Sequence, residues 1–311
     1  MKRSLLGIAF LPLCISAYAD GEGVMAPKDP GSRLQFHGWG QYNFIPNLPN
    51  AKHVARLSIE LAPKPLGFLI ETDFALLPDV LNGDKANFVQ KAYGRLKFGD
   101  NTELRFGRLS LSTYFANQSS SQRYTVLALR QPFGIHAQGF QLKQNIGTKW
   151  EILADVSTSS KYAFNDRRAW DLGGDMLEES GQLKYEGGPN AATMLSVQHT
   201  RLGTRKEIST WWKHDKLELR GSLYQAVDEK NHPYRGGYGL AEYMIRPHVA
   251  LDLQADYSTI SGQPSTIFTG GVRWFDKKDT GWNLMINYQK TSGKEQTDRS
   301  DGIMAGLRYR F

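Results

Sequence analysis

The chain lacks most of what marks a disulfide-stapled domain, a metalloenzyme or a helical membrane protein. It has a single cysteine, Cys14, in 311 residues, so no disulfide and no thiolate metal site can form within it. Its seven histidines, His37, His53, His136, His199, His214, His232 and His248, are scattered and never fall at a close metal-ligand spacing. No Gly-x-Ser-x-Gly elbow is present, and no stretch pairs Ser with His, or acid with acid, as hydrolases do. The sequence therefore predicts no catalytic group, no metal and no cofactor. Beyond the first twenty residues no apolar run approaches the ~20 residues a helix needs to cross a bilayer, which excludes a helical transmembrane protein. With 40% hydrophobic and 22% charged residues, the composition is also too rich in apolar side chains for a disordered chain. Acid is missing locally as well. There is no Asp or Glu from Leu104 to Trp150, where 31 acids in 311 residues would place about five.

The apolar opening has its own logic. Lys2 and Arg3 precede an apolar core from Leu5 to Ile15, and Ala17-Tyr18-Ala19 precedes Asp20. This reads as a secretory signal, residues 1–19, cleaved after Ala19. Leu13 stands before Cys14 where a lipoprotein would carry a small residue, which argues against a lipid anchor. Residues 20–32, rich in Gly and Pro, read as a short periplasmic tail. The formal charge of +7, with many aromatics, raises nucleic acid as a partner, and the secretory signal argues against it.

From Arg33 to Phe311 apolar and polar residues alternate with a period of two, in segments of about ten broken by turn residues. That is the cumulative signature of a transmembrane β-barrel. In Ile303–Phe311 one face is Ile, Ala, Leu, Tyr, Phe and the other Met, Gly, Arg, Arg. The same reading holds at 217–224, 249–257 and 282–289. Sixteen such segments can be placed: about 33–45, 52–62, 67–76, 87–98, 102–112, 137–145, 149–157, 178–186, 190–200, 205–213, 216–227, 236–246, 248–259, 265–275, 281–291 and 302–311. The predicted fold is all-β, an antiparallel sixteen-strand transmembrane barrel.

Two further patterns support it. Connections after even-numbered strands are short and suit periplasmic turns, whereas the alternate ones are expected to be longer external loops, the longest at 113–136 and 158–177. Phe68, Phe98, Trp150, Tyr185, Trp212, Trp274, Trp282 and Phe311 all lie near a short turn or a chain end, as an interfacial aromatic girdle requires.

Sixteen strands enclose more space than side chains fill, so the barrel should leave an aqueous channel. The third external loop, 113–136, contains Tyr124-Thr125-Val126-Leu127-Ala128-Leu129, too apolar for water, and is expected to fold into the lumen. It lies in the acid-free window with Arg105, Arg108, Arg123, Arg130, Lys143 and Lys149. Positive charge in a narrow passage with low-dielectric walls concentrates anions, and the Arg fork suits phosphate and carboxylate. The candidate pore-lining, anion-binding residues are Arg56, Lys91, Arg95, Arg105, Arg108, Arg123 and Arg130. Arg108 shares phase with Phe106 and needs a bulge to face inward. Glu60, Glu71, Asp73, Asp155, Glu218, Asp252 and Asp256 share the inward phase, so ion pairing on the wall is the competing reading for each base.

The terminal Gly306-Leu307-Arg308-Tyr309-Arg310-Phe311 resembles the C-terminal signature of Gram-negative outer-membrane porins. Ala92-Tyr93-Gly94-Arg95-Leu96-Lys97-Phe98-Gly99 followed by Leu104-Arg105-Phe106-Gly107-Arg108-Leu109 is similar to the central hairpin of the phosphate-selective porin (O/P) superfamily. One departure is that the Pro-Phe-Gly usually close behind that hairpin comes only at Pro132-Phe133-Gly134. The resemblance implies a cleaved signal and residence in a Gram-negative outer membrane, among lipid and lipopolysaccharide. It also implies a homotrimer, an inward third loop, and small anionic or polar solutes such as phosphate or organic acids. Small outward residues such as Gly38, Gly40 and Gly94 would allow close packing of copies. The alternatives are a specific channel for a sugar or organic acid, stacking on Trp39, Tyr42, Tyr114 and Tyr124, or a plugged barrel enzyme or adhesin.

Overall fold

A strand that alternates apolar and polar side chains has two chemically different faces, and a sheet made of such strands must keep its apolar face out of water. The computed structural model describes residues 34–44, 54–62, 65–75, 87–110, 136–158, 177–200, 203–228, 233–260, 263–276, 281–293 and 301–310. They form β1 (Leu34–Phe44), β2 (Val54–Leu61), β3 (Leu66–Ala75), β4 (Asn87–Phe98), β5 (Thr102–Ser110), β6 (His136–Ile146), β7 (Trp150–Thr158), β8 (Leu177–Gly188), β9 (Ala191–Thr200), β10 (Gly203–His214), β11 (Leu217–Asp228), β12 (Pro233–Arg246), β13 (Val249–Ile260), β14 (Gln263–Phe275), β15 (Gly281–Gly293) and β16 (Gly302–Arg310). Each expected segment overlaps one observed strand. The expected signal (1–19), the tail (20–32) and the inward fold of the third loop fall outside the described residues.

Each strand pairs antiparallel with the next, and β1 pairs with β16, through Trp39 opposite Arg310 and Gln41 opposite Arg308, to close the barrel. Closure leaves no unpaired edge, the condition for putting a sheet in hydrocarbon. The described strands hold 8 to 14 residues, bracketing the ~9–11 that cross a bilayer at a tilt.

The burial pattern is inverted relative to a soluble protein. Leu223, Phe140 and Ile303 are 69%, 64% and 63% exposed, while Asp252, Arg273 and Gln289 are fully buried. Along β15 the alternation is unbroken for nine residues: Trp282, Leu284, Ile286 and Tyr288 face out, and Asn283, Met285, Asn287 and Gln289 face in. A continuous exposed apolar band of this kind is stable only against lipid. At the short-turn end Phe98, Trp150, Trp212, Trp274 and Trp282 are exposed. Trp150 packs on Tyr185 and Trp282 on Tyr309, each pair at 4.7 Å between ring centroids, as in the expected girdle.

The connections depart from expectation in one respect. Long segments follow β5 and β7, but only two residues separate β9 from β10 and β13 from β14, and four separate β11 from β12. The long and short connections are therefore segregated on one half of the barrel only. The alternating pattern extends almost to the ends of these hairpins, so their strands run closer together than turn residues suggested.

Two glycines show how the pleat is adjusted at the hairpin of β4 and β5. The Phe106 ring lies over Gly94, where an added Cβ would be 2.5 Å from the ring. That outward glycine is thus covered, whereas Gly40 has open space around it. Gly107 has φ +126, and a Cβ there would sit 2.5 Å from the Ala92 carbonyl oxygen. It separates exposed Phe106 from buried Arg108, and the pairing with β4 and β6 runs through both residues without the bulge expected for Arg108.

The folded protein should migrate differently on gels with and without boiling and be nearly all β by circular dichroism. Gly107→Ala, which is sterically excluded and loses the left-handed backbone (a penalty of ~1–3 kcal/mol), should lower the temperature at which the folded band disappears. An unchanged transition in Gly107→Ala would show that the left-handed backbone at Gly107 is not needed.

Candidate functional site

The inner wall is assembled by register. Arg95 on β4 stands opposite Arg105 on β5, followed by Gln141 (β6), Asp155 (β7), Ser180 (β8), Gln198 (β9) and Arg205 (β10), each the partner of the next. Seven consecutive strands thus contribute one polar side chain each to a single transverse belt. Side-chain hydrogen bonds run along it. Arg105 Nη1 donates to Gln141 Oε1 at 2.8 Å, Gln141 Nε2 to Asp155 Oδ2 at 3.4 Å, and Ser180 Oγ to Asp155 Oδ1. Residues 14 to 36 positions apart are bonded here only because the pairing is regular.

The candidate basic residues that the structure describes on this wall have acidic neighbours. Arg95 Nη2 donates to Glu60 Oε1 at 2.5 Å and to the Leu61 carbonyl at 3.1 Å. Lys91 Nζ lies 3.2 Å from Glu71, which also accepts from Ser58 Oγ. Arg105 Nε donates to Glu103 at 2.6 Å, and Lys143 pairs with Glu151 at 2.6 Å. Glu103 and Glu151 are the acids that bracket the acid-free window, so the wall residues of that window are matched from just outside it. Arg56 stands in register between Trp39 on β1 and Asp73 on β3. Arg108 is buried opposite Ala92 and Gln138, in the next row of the same phase as Phe106 and Phe140. Arg123 and Arg130 lie outside the described residues, as do Tyr114 and Tyr124.

The opposite wall carries groups that sequence reasoning passed over. Arg205 pairs with Glu207, which also accepts from Ser209 Oγ at 2.9 Å and from Ser222 Oγ. Arg220 donates to Glu218 at 2.6 Å and 2.8 Å. Arg273 lies between Glu242 and Asp252, with all three essentially inaccessible to solvent. Four arginines lie over aromatic rings around the barrel: Arg308 over Trp39 at 4.4 Å, Arg205 over Tyr224 at 4.8 Å, Arg273 over Phe275 at 5.0 Å and Arg105 over Tyr93 at 5.8 Å. Stacking with an ion pair on the guanidinium edge fixes both plane and direction. The inward phase of β10, β14 and β16 was the available signal for Arg205, Arg273 and Arg308. Arg308 joins β16 to β1 across the seam where the barrel closes. Among the described residues no group of His, Cys, Asp and Glu could hold a metal ion.

No family model matches the chain, and no curated protein does. The fold does match solved structures. A complex of OmpF from Salmonella typhi with daunomycin has a TM-score of 0.68 at 10% identity, covering 89% of this chain and 97% of that one. The outer membrane channel DcaP of Acinetobacter baumannii gives 0.65 at 12% identity, covering 89% and 97%. An anion-selective porin from Comamonas acidovorans gives 0.63 at 15% identity, covering 89% and 99%. At these identities the likeness is one of fold: the chain is a sixteen-strand β-barrel of porin architecture.

The buried triad generates a stability prediction. Arg273→Met leaves the Glu242 and Asp252 carboxylates buried without their shared cation, and breaking a buried pair in this way costs about 3–5 kcal/mol. Denaturant unfolding from detergent should shift accordingly, while the triple change Glu242→Gln, Asp252→Asn, Arg273→Met should recover most of the loss. Equal stabilities for the single variant and the parent would remove the triad from the account of the wall.

Proposed function

We propose that this protein is an outer-membrane channel of a Gram-negative bacterium through which small hydrophilic solutes diffuse passively, with a preference for anions. The observation that carries the channel reading is the inverted barrel itself. An apolar band faces lipid, and sixteen strands surround a wall of charged and amide side chains, with a diameter that side chains alone do not fill. A secretory signal over residues 1–19 is the route to that membrane. Assembly as a homotrimer, with contacts to lipid and lipopolysaccharide, follows from the resemblance of the hairpin and C-terminal motifs and is consistent with open space over Gly40.

Anion preference rests on the distribution of unmatched charge. On the described wall most bases have a carboxylate within reach, so those pairs orient guanidinium groups but contribute little net field. The acid-free window leaves Arg123 and Arg130 as bases without an acid near them in sequence, in the segment expected to narrow the passage. Arg95 and Arg105, directly opposite one another, give two planar donors for a passing phosphate or carboxylate, with Arg56, Lys91 and Arg108 as further wall bases. The likeness to an anion-selective porin agrees with this reading.

In a bilayer under a salt gradient the reversal potential should favour chloride over potassium. Replacing Arg123 and Arg130 together by Glu changes the local charge by four units and should move the potential toward cations. Charges at the outer mouth should matter less, because ~0.1 M salt screens beyond about 10 Å. A wild type that prefers cations would contradict the assignment. An anion-preferring wild type with an unchanged double variant would shift it to Arg56, Lys91, Arg95 and Arg105.

A further inference from the structure

The wall between β10 and β13 carries several aromatic side chains inward among carboxylates. Three successive register rows hold them. Tyr224 stands between Glu207 and Gly236, Tyr238 between Ser222 and Asp256, and Trp211 between Ala192 and Arg220. From the Tyr224 row to the Trp211 row is four residues, ~14 Å along the strands. The rings therefore form an oblique track down the wall rather than a cluster at one depth. Trp211 and Tyr238 also pack against buried Ala192 and Met194, which fixes them against the wall.

Their polar atoms are unusual. Tyr238 Oη and Trp211 Nε1 are both buried from solvent without a hydrogen-bond partner among the described residues. A buried donor left unmet is destabilising by about 1–3 kcal/mol, so such donors on a channel wall point to an acceptor that arrives with the solute. Beside them, Tyr224, Tyr238 and Asp256 line a cleft of ≈ 20 Å³, room for about one water or hydroxyl group, so only the edge of a solute enters it. Asp256 supplies an acceptor there.

The cleft also lies where the outer rim is low. Two residues join β9 to β10, four join β11 to β12 and two join β13 to β14. At ~3.3–3.6 Å per residue, none of these connections can rise far above the strand ends. Tyr224 is four residues from the outer end of β11, and Tyr238 five from the outer end of β12. A solute entering on this side would meet these rings early in its passage.

The combination selects a chemistry. Arg205 and Arg220 are held by Glu207 and Glu218, so a phosphate or carboxylate would satisfy the two donors but face Asp256. An ammonium ion would satisfy Asp256 but leave Tyr238 Oη and Trp211 Nε1 unmet. A carbon ring bearing hydroxyls offers acceptors and donors together, and apolar C–H faces for the aromatic rings. We propose that this wall is a binding track for neutral polyhydroxylated solutes of the mono- and disaccharide class, with Trp211, Tyr224 and Tyr238 as its aromatic surface. This goes beyond the anion preference proposed above and does not depend on it.

The test is ion-current block in a planar bilayer, with sucrose and glucose as neutral probes, choline chloride and sodium gluconate as charged ones, and polyethylene glycol as the viscosity control. Sucrose should reduce the current saturably, beyond the viscosity effect, and more strongly from the side of the short rim. Tyr238→Phe and Trp211→Phe keep the rings but remove one donor each. Each should raise the half-blocking concentration about threefold to tenfold, as loss of a single hydrogen bond does. Folding of both variants is checked by heat-modifiability and by an unchanged open-channel conductance. Sugar effects no larger than the viscosity control would overturn the proposal. So would equal block in wild type and the double variant, or saturable block by choline or gluconate alone.

Discussion

The whole molecule depends on one constraint: a backbone placed in hydrocarbon must satisfy every N–H and C=O internally. A closed antiparallel barrel does so without edges, and closure here is made by β1 against β16. Once the sheet closes, the period of two decides everything else. Every second residue meets lipid and must be apolar, and every other residue meets the interior and is free to carry charge. A register slip of one residue would put Arg273 or Asp252 into lipid and Leu253 into the lumen, so the pairing is specified far more strongly than strand propensity alone could manage.

The same period explains how the wall is built. Charged side chains that are remote in sequence become neighbours in a row, and the stretch of that row from Arg105 to Ser180 is held by side-chain hydrogen bonds between adjacent strands. The ion pairs at Arg95, Arg105, Arg205, Arg220 and Arg273 spend most of their charge on one another. Such pairs hold oriented guanidinium edges on the wall while their charges largely cancel. The aromatic track on the other wall is the complementary case, where faces and single donors rather than charge meet the solute.

The strands were legible in the sequence because alternation is a local signal, and sixteen segments could be placed from it with ends within a few residues. Pairing of charges was not legible. The window from Leu104 to Trp150 looks uniformly basic along the chain, yet Glu103 and Glu151, one residue outside each end, reach Arg105 and Lys143 within the barrel. The brevity of the connections after β9 and β13 was also hidden, because polar residues near strand ends read as turn whether or not they remain paired. Nor does composition reveal that Arg108 is buried although it shares the phase of exposed Phe106. Trp211 and Tyr238 were overlooked because an aromatic residue on a strand ordinarily signals the lipid interface, and only their rows show that they face inward.

The central claim, that period-two alternation puts one face of each strand in a water-filled passage and the other in lipid, can be tested directly by cysteine accessibility. The chain has only Cys14 to remove, so single cysteines can be placed along β11 and probed in liposomes. A charged, membrane-impermeant thiol reagent should label positions 220, 222 and 224 and spare 219, 221 and 223, while a lipid-soluble maleimide should show the opposite preference. Equal labelling of both sets, or labelling of 219 and 223 alone by the charged reagent, would contradict the account.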